Sequence, residues 1–144
     1  MVQYTMDIRE LVTDTDLKAA FPVLRELRPH LTWELLVERF PLQRAEGYRL
    51  WAAEVDAAVA AVIGWRIQHM LYSGKTMYVD DLVTGPSHRG QGLGRALLDH
   101  AEDQARQVGC ATFSLDSGPQ RHDAHRLYLN FRMKIASHHF SKEL

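Results

Sequence analysis

The chain has 144 residues and a formal charge of -1, with 17 Lys and Arg against 18 Asp and Glu. That length suits one domain over residues 1–144 with a sizeable core and gives no ground for dividing it in two. The balanced charge excludes a global positive field that would recruit nucleic acid or an anionic membrane, so any anion site must be local.

One cysteine, Cys110, excludes an intramolecular disulfide framework and fits a reducing cytosol. Its neighbours Ala111, Phe113 and Leu115 mark it as a buried structural thiol rather than a nucleophile. The opening "MVQYTMDIRE" carries acids and lacks the apolar core and cleavage site of a signal peptide. The longest mainly apolar stretch, Val55 to Trp65, includes Asp56 and is too short to span a bilayer. The expectation is a cytoplasmic protein with no membrane partner.

"QYTMDIREL" alternates as a first strand, and Thr13 to Asp16 offer N-caps for a helix running to about Leu27, closed by "RPH". Thr32 caps a second helix, "WELLVERF", which Pro41 is expected to end or kink. "YRLWAAEV", "AAVAAVIGWRIQHML" and "TMYVDDLVT" then read as three strands of an antiparallel meander, turning near Asp56 and at Gly74. Leu93, Ala96, Leu97, Ala101, Ala105 and Val108 recur at helical spacing up to a C-terminal Gly109. "CATFSLDS" is a short strand, and "GPQRHDAHRLYLNF" a helix with Pro119 suited to its first position. "MKIASHHFSKEL" has strand-like alternation, giving the order β-α-α-β-β-β-α-β-α-β and an α/β or α+β domain with a mixed sheet.

The stretch that carries chemistry is "HRGQGLGRALL", where Gly90, Gly92 and Gly94 alternate between a strand and an amphipathic helix. Free amides at a helix start converge on an anion, and glycines let backbone approach it. Arg89 and Arg95 bracket the loop, so the expected ligand is a phosphate or pyrophosphate. The spacing is neither that of a P-loop, for want of the Lys-Ser/Thr pair, nor G-x-G-x-x-G, and the preceding antiparallel strands argue against dinucleotide binding.

These residues resemble the GCN5-related N-acetyltransferase (GNAT) family. Its signature R/Q-x-x-G-x-G/A is matched from Arg89 to Gly94, after "YVDDLVTGPSH" and before "FSLDSGPQRHDAHRLY", which is similar to the family's later strand and tyrosine-ended helix. The resemblance implies a mixed, mostly antiparallel sheet flanked by helices and acetyl-CoA as co-substrate. It places acetyl-CoA between the strand ending at Leu82 and Val83 and the strand near Phe113 to Leu115. Main chain at Leu82, Val83 and Thr84 is implied to hold the pantetheine arm. The backbone of Gly90, Gln91, Gly92, Leu93, Gly94 and Arg95 is implied to receive the pyrophosphate. Arg121 stands where family members commonly have Asn, and Arg132-Met133 replaces the usual Gly-Phe. Homodimers paired through sheet edges or C-terminal strands are common in the family.

Acetyl transfer to an amine needs a base, a polarised carbonyl and a proton for the departing thiolate. The resemblance gives that proton to Tyr128. Asp80 and Asp81 are unexpected acids in an apolar strand, candidates for the base or for attracting a cationic amine. Adjacent strand residues face opposite ways unless a bulge intervenes. Glu46 and Glu54 are further acids, one of His138 and His139 could face the acceptor, and Trp33 could line its pocket. His122 and His125 share a helical spacing, but no zinc set completes around them and no metal is expected. The reading is an N-acetyltransferase with direct attack on acetyl-CoA in a ternary complex. A non-catalytic acetyl-CoA sensor and a nucleotide-binding module are the alternatives.

Overall fold

The computed structural model describes residues 5–144. Nine elements follow in chain order: β1 (Met6–Leu11), α1 (Asp14–Leu27), α2 (Trp33–Ala45), β2 (Arg49–Val55), β3 (Ala58–Met70), β4 (Gly74–Thr84), α3 (Leu93–Gln107), β5 (Thr112–Leu115) and α4 (His122–Asn130). Gln3 and Tyr4 of the expected first strand lie outside the described residues. The sheet runs β1-β2-β3-β4-β5, with the first three pairings antiparallel and β4–β5 parallel.

Local chemistry sets the helix starts. Thr13 and Asp16 form a reciprocal capping box, the Asp16 amide donating to Thr13 Oγ1 at 3.1 Å and the Thr13 amide to Asp16 Oδ2 at 3.0 Å. Thr32 Oγ1 accepts from the Leu35 amide at 3.1 Å. Helix α2 does not stop at Pro41 but continues to Ala45. Leu36 and Phe40 are anchored in the core while Pro41 is exposed, so tertiary burial holds a turn that local propensity would release.

The β2–β3 hairpin turns on Asp56 and Ala57, both at positive φ, as a two-residue turn requires. Helix α4 begins at His122 rather than Pro119, because the Arg121 amide closes a turn onto the Gly118 carbonyl at 3.1 Å. The expected strand over "MKIASHHFSKEL" does not form. Ile135 and Phe140, which carry its alternation, are exposed, so no burial fixes a register.

Each face of the sheet carries its own core. Leu17, Leu24, Leu36, Phe40 and Tyr48 pack on the α1–α2 face, and Ile63, Met77, Leu82, Leu97 and Leu98 on the α3–α4 face. One irregularity in β4 sets the faces of its two aspartates: Val79 pairs with Trp65 and Asp81 with Gly64, leaving Asp80 as an extra residue. Val79 and Leu82 therefore both face α3, and Val83 faces α1. The intervening Asp80 and Asp81 both fall on the α1–α2 face.

Candidate active site

Strands β4 and β5 pair only from Thr76↔Thr112 to Val79↔Leu115. Beyond Val79, β4 runs on to Thr84 without that neighbour, and a cleft of about 210 Å³ opens in the split. Asp80 and Leu82 line it from β4, Leu115 from β5, Arg28 from the end of α1, and Arg121 and Tyr128 from α4. The Gly85 amide turns toward β3, donating to the Ala60 carbonyl at 2.8 Å. Strand alternation then directs the peptide groups of Val83 to β3 and those of Leu82 and Thr84 toward the split.

The glycine loop follows β4 and leads into α3. A single 3-10 turn, Pro86–His88, leads into Arg89, and Gly92 caps α3 without a side chain. Gly90 and Gly92 sit at φ of 77° and 82°, conformations that side-chain-bearing residues adopt at a cost. Gly94 has another reason to be bare: a Cβ there would stand 3.1 Å from Leu127 Cδ2 on α4. The first bond of α3 runs from the Ala96 amide to the Gly92 carbonyl at 3.0 Å. The amides of Leu93, Gly94 and Arg95 are thus left without intrahelical partners.

Both flanking arginines are engaged. Arg89 reaches Glu26 at 3.2 Å, and Arg95 pairs with Asp99 at 3.1 Å while lying 5.0 Å from the centre of the Phe131 ring.

The two aspartates share a face but have different partners. Asp80 receives two bonds from the Arg66 guanidinium, at 3.0 and 2.8 Å. Burial pushes its carboxyl above the usual range, and Arg66 opposes that shift. Asp81 accepts from the Tyr48 hydroxyl at 2.7 Å and from Arg28 Nε at 3.1 Å, while Arg28 Nη2 donates to the Asp80 carbonyl at 2.9 Å. Tyr48 is fully buried, and that burial, followed by the charge of Asp81, pushes its phenol well upward. Tyr128 is also buried at 8% exposure; burial raises its pKa above the ordinary tyrosine value, and Arg121 partly offsets this.

Other candidates lie elsewhere. Glu54 is tied to Arg9 on β1 at 2.8 Å, and Glu46 reaches the site only through Arg66, at 3.0 Å. Trp33 packs edge-on against Phe21, their centres 6.0 Å apart. His138 is exposed, and His139 Nδ1 lies 3.8 Å from Asp116 on the rim of the cleft. Cys110 packs against the α3-side core and does not line the cleft; burial raises its thiol pKa. Sequence reasoning did not find Arg28, Tyr48 or Arg66. Arg28 follows the end of α1 and Tyr48 precedes β2, where no periodic pattern singles them out, and Arg66 is a polar residue in the largely apolar β3.

Residues 9–131 match the family model described as the acetyltransferase (GNAT) family. The chain is 34% identical over 122 residues to the uncharacterized N-acetyltransferase YhdJ of Bacillus subtilis, spanning 84% of this chain and 86% of that one. It is also 34% identical over 91 residues to an aminoalkylphosphonate N-acetyltransferase of Salmonella typhimurium, covering 63% of this chain and 57% of that enzyme. The fold superposes on an aminoglycoside N-acetyltransferase solved in complex with CoA, with a TM-score of 0.85 at 16% identity over 99% of this chain and 97% of the other. With the split sheet, the bare amides at the head of α3 and a family match over most of its length, the chain belongs to the GNAT family of N-acetyltransferases.

Proposed function

We propose that this protein moves the acetyl group of acetyl-CoA to a primary amine by direct attack in a ternary complex, with residues 1–144 acting as one catalytic domain. The observation that carries the reading is the split between β4 and β5, which brings Asp80 and Tyr128 to one cavity beside the unpaired amides of α3. The CoA pyrophosphate lies over the backbone of Gln91 to Arg95, where a helix start favours negative charge. The pantetheine arm follows the outward peptide groups of Leu82 and Thr84, and the thioester reaches the cleft.

The acceptor enters from the α1–α2 face, where the bulge directs both carboxylates. An ammonium gives its proton to Asp80, directly or through water, and the freed nitrogen attacks the thioester carbonyl. As the carbon–sulfur bond breaks, the thiolate takes the Tyr128 proton, and the second proton, shed by the acylated nitrogen, returns through solvent to the Tyr128 phenolate. The Tyr128 phenol, like any tyrosine, carries its proton at neutral pH, and burial raises its pKa further. With Cys110 outside the cleft, direct attack is favoured over a route through an acetyl-cysteine.

The test is thiol release from acetyl-CoA against a panel of primary amines, with CoA binding followed by calorimetry. Amine-dependent release that Tyr128→Phe reduces supports the reading. CoA binding without release from any amine overturns it.

A further inference from the structure

A second cavity, of about 270 Å³, opens on the α1–α2 face and reaches Asp81. Leu31, Leu36 and Phe40 supply apolar wall, and Tyr48 and Asp81 close one end. Arg28, Arg39, His30 and Gln43 supply the polar lining. Two arginines thus line the cavity against a single carboxylate.

The carboxylates nearby are already balanced. Asp80 is held by two bonds from Arg66, which also takes Glu46, and Asp81 is held by Arg28 and Tyr48. Arg39, on the exposed side of α2, makes no ion pair and donates no side-chain hydrogen bond among the described residues. A second cationic group on an acceptor would meet Arg28 and Arg39, and like charges without a counterion repel. An anionic group would find a free guanidinium fork, the donor geometry that best fits carboxylate, phosphonate and phosphate oxygens.

We infer that the acceptor is a small primary amine carrying an anionic group across a hydrocarbon spacer, with Arg39 holding the anion in this cavity and the amine reaching past Arg28, which lines both cavities, to Asp80 in the cleft. This rests on the acetyl-transfer reading above and extends its acceptor site into the second cavity, with Arg28 between the two.

The experiment compares β-alanine, 2-aminoethylphosphonate and phosphoethanolamine with n-propylamine and 1,3-diaminopropane, scored by thiol release from acetyl-CoA. At least one anionic amine is expected to exceed both uncharged-tail and dicationic amines in kcat/KM by about tenfold or more, the worth of a charge-assisted contact. The arms tell a carboxylate from a phosphorus oxyanion. Arg39→Ala is expected to raise KM for the preferred anionic amine far more than it lowers kcat, collapsing the preference over n-propylamine, and Arg39→Lys to restore part of it. Equal or better use of n-propylamine or 1,3-diaminopropane overturns the inference, as does an unchanged preference in Arg39→Ala. Calorimetric binding of the same amines to the CoA complex separates this from the chemistry. Binding of an anionic amine that Arg39→Ala abolishes, without turnover, upholds the anion site at Arg39 while overturning the acetyl-transfer reading, and absence of binding by every anionic amine overturns the inference.

Discussion

The Tyr48 hydroxyl meets Asp81 Oδ2 at 2.7 Å directly over Gly64, where a Cβ would lie 1.7 Å from the same hydroxyl oxygen. A buried phenol from the start of β2 therefore crosses β3 to reach β4, and only a glycine on β3 leaves it a path. The contact fixes the orientation of Asp81, whose other oxygen faces Arg28.

Gly64→Ala is expected to destabilise the fold. Tyr48 is 3% exposed and has no room to swing aside, so the methyl is overpacked at a cost of about 1–3 kcal/mol or more. Tyr48→Phe removes the donor but not the ring and is expected to cost about 1–3 kcal/mol. In the double variant the two costs should fall short of their sum, since they act on one contact. Urea unfolding of the four proteins measures this, and an unaltered midpoint for Gly64→Ala would show that the approach is not as close as described.

The start of α1 makes a pH-dependent contribution. Asp16 accepts from the amides of Val12 and Thr13 and pairs with Arg9 at 2.8 Å, and these bonds hold its carboxyl well below the ordinary range. A depressed folded-state pKa means the unfolded chain takes up the proton first. The stabilisation is complete above about pH 4, the unfolded value, and is lost as pH falls through the lower folded value. Asp16→Asn is expected to cost about 0.5–2 kcal/mol at pH 7. The gap to the parent should narrow below pH 3, and a gap constant from pH 7 to 2.5 would contradict the assignment.

The same comparison of local signal with tertiary placement explains what was legible beforehand. Thr13, Thr32, Gly90, Gly92 and Gly109 take conformations or caps set by their immediate neighbours, so their local structure can be read from spacing alone. Pro41 misleads because burial of Phe40 outweighs a local helix penalty. The tail misleads because alternation without a buried face sets no strand. Of the candidate site, the glycine loop and Tyr128 each stand out in a short local stretch, whereas Arg28, Tyr48 and Arg66 meet the aspartates only across 53, 33 and 14 residues. The bulge that unites Asp80 and Asp81 is a property of pairing with β3, which neither residue announces.

The glycines of the loop should separate by role. Gly92→Ala forces a left-handed conformation at a cost of about 1–2 kcal/mol and is expected to move the first amides of α3, weakening CoA binding about tenfold. Gly94→Ala meets only the end of the Leu127 side chain, which can shift, and is expected to change binding less than threefold, under about 0.7 kcal/mol. Calorimetry with CoA decides between them. Equal losses would mean that both positions serve the ligand directly.

Tyr128→Phe is expected to lower kcat about 10²- to 10⁴-fold with little change in CoA affinity, as loss of a general acid does. Burial raises the phenol, so an alkaline loss of activity through this group should begin only above the ordinary tyrosine value near pH 10. Steady-state thiol release from pH 7 to 10 checks both. A fully active Tyr128→Phe protein would remove the residue from the proton path.

Arg66 offers the sharpest test of the base. Burial raises the Asp80 carboxyl, the nearby Asp81 charge adds to that, and the two bonds from Arg66 pull it back. Arg66→Met keeps much of the apolar stem over Tyr48 while deleting the cation, so the Asp80 pKa must rise further. If Asp80 takes the ammonium proton, it works only when ionised, and the acid limb of kcat/KM moves to higher pH in Arg66→Met. Asp80→Asn is expected to lower kcat/KM about 10²- to 10⁴-fold and to erase that limb. The conservative Arg66→Lys should place the limb between those of the parent and the Met variant, because one ammonium replaces a two-pronged contact. An acid limb that stays in place in Arg66→Met, with activity retained in Asp80→Asn, would transfer the base role to Asp81.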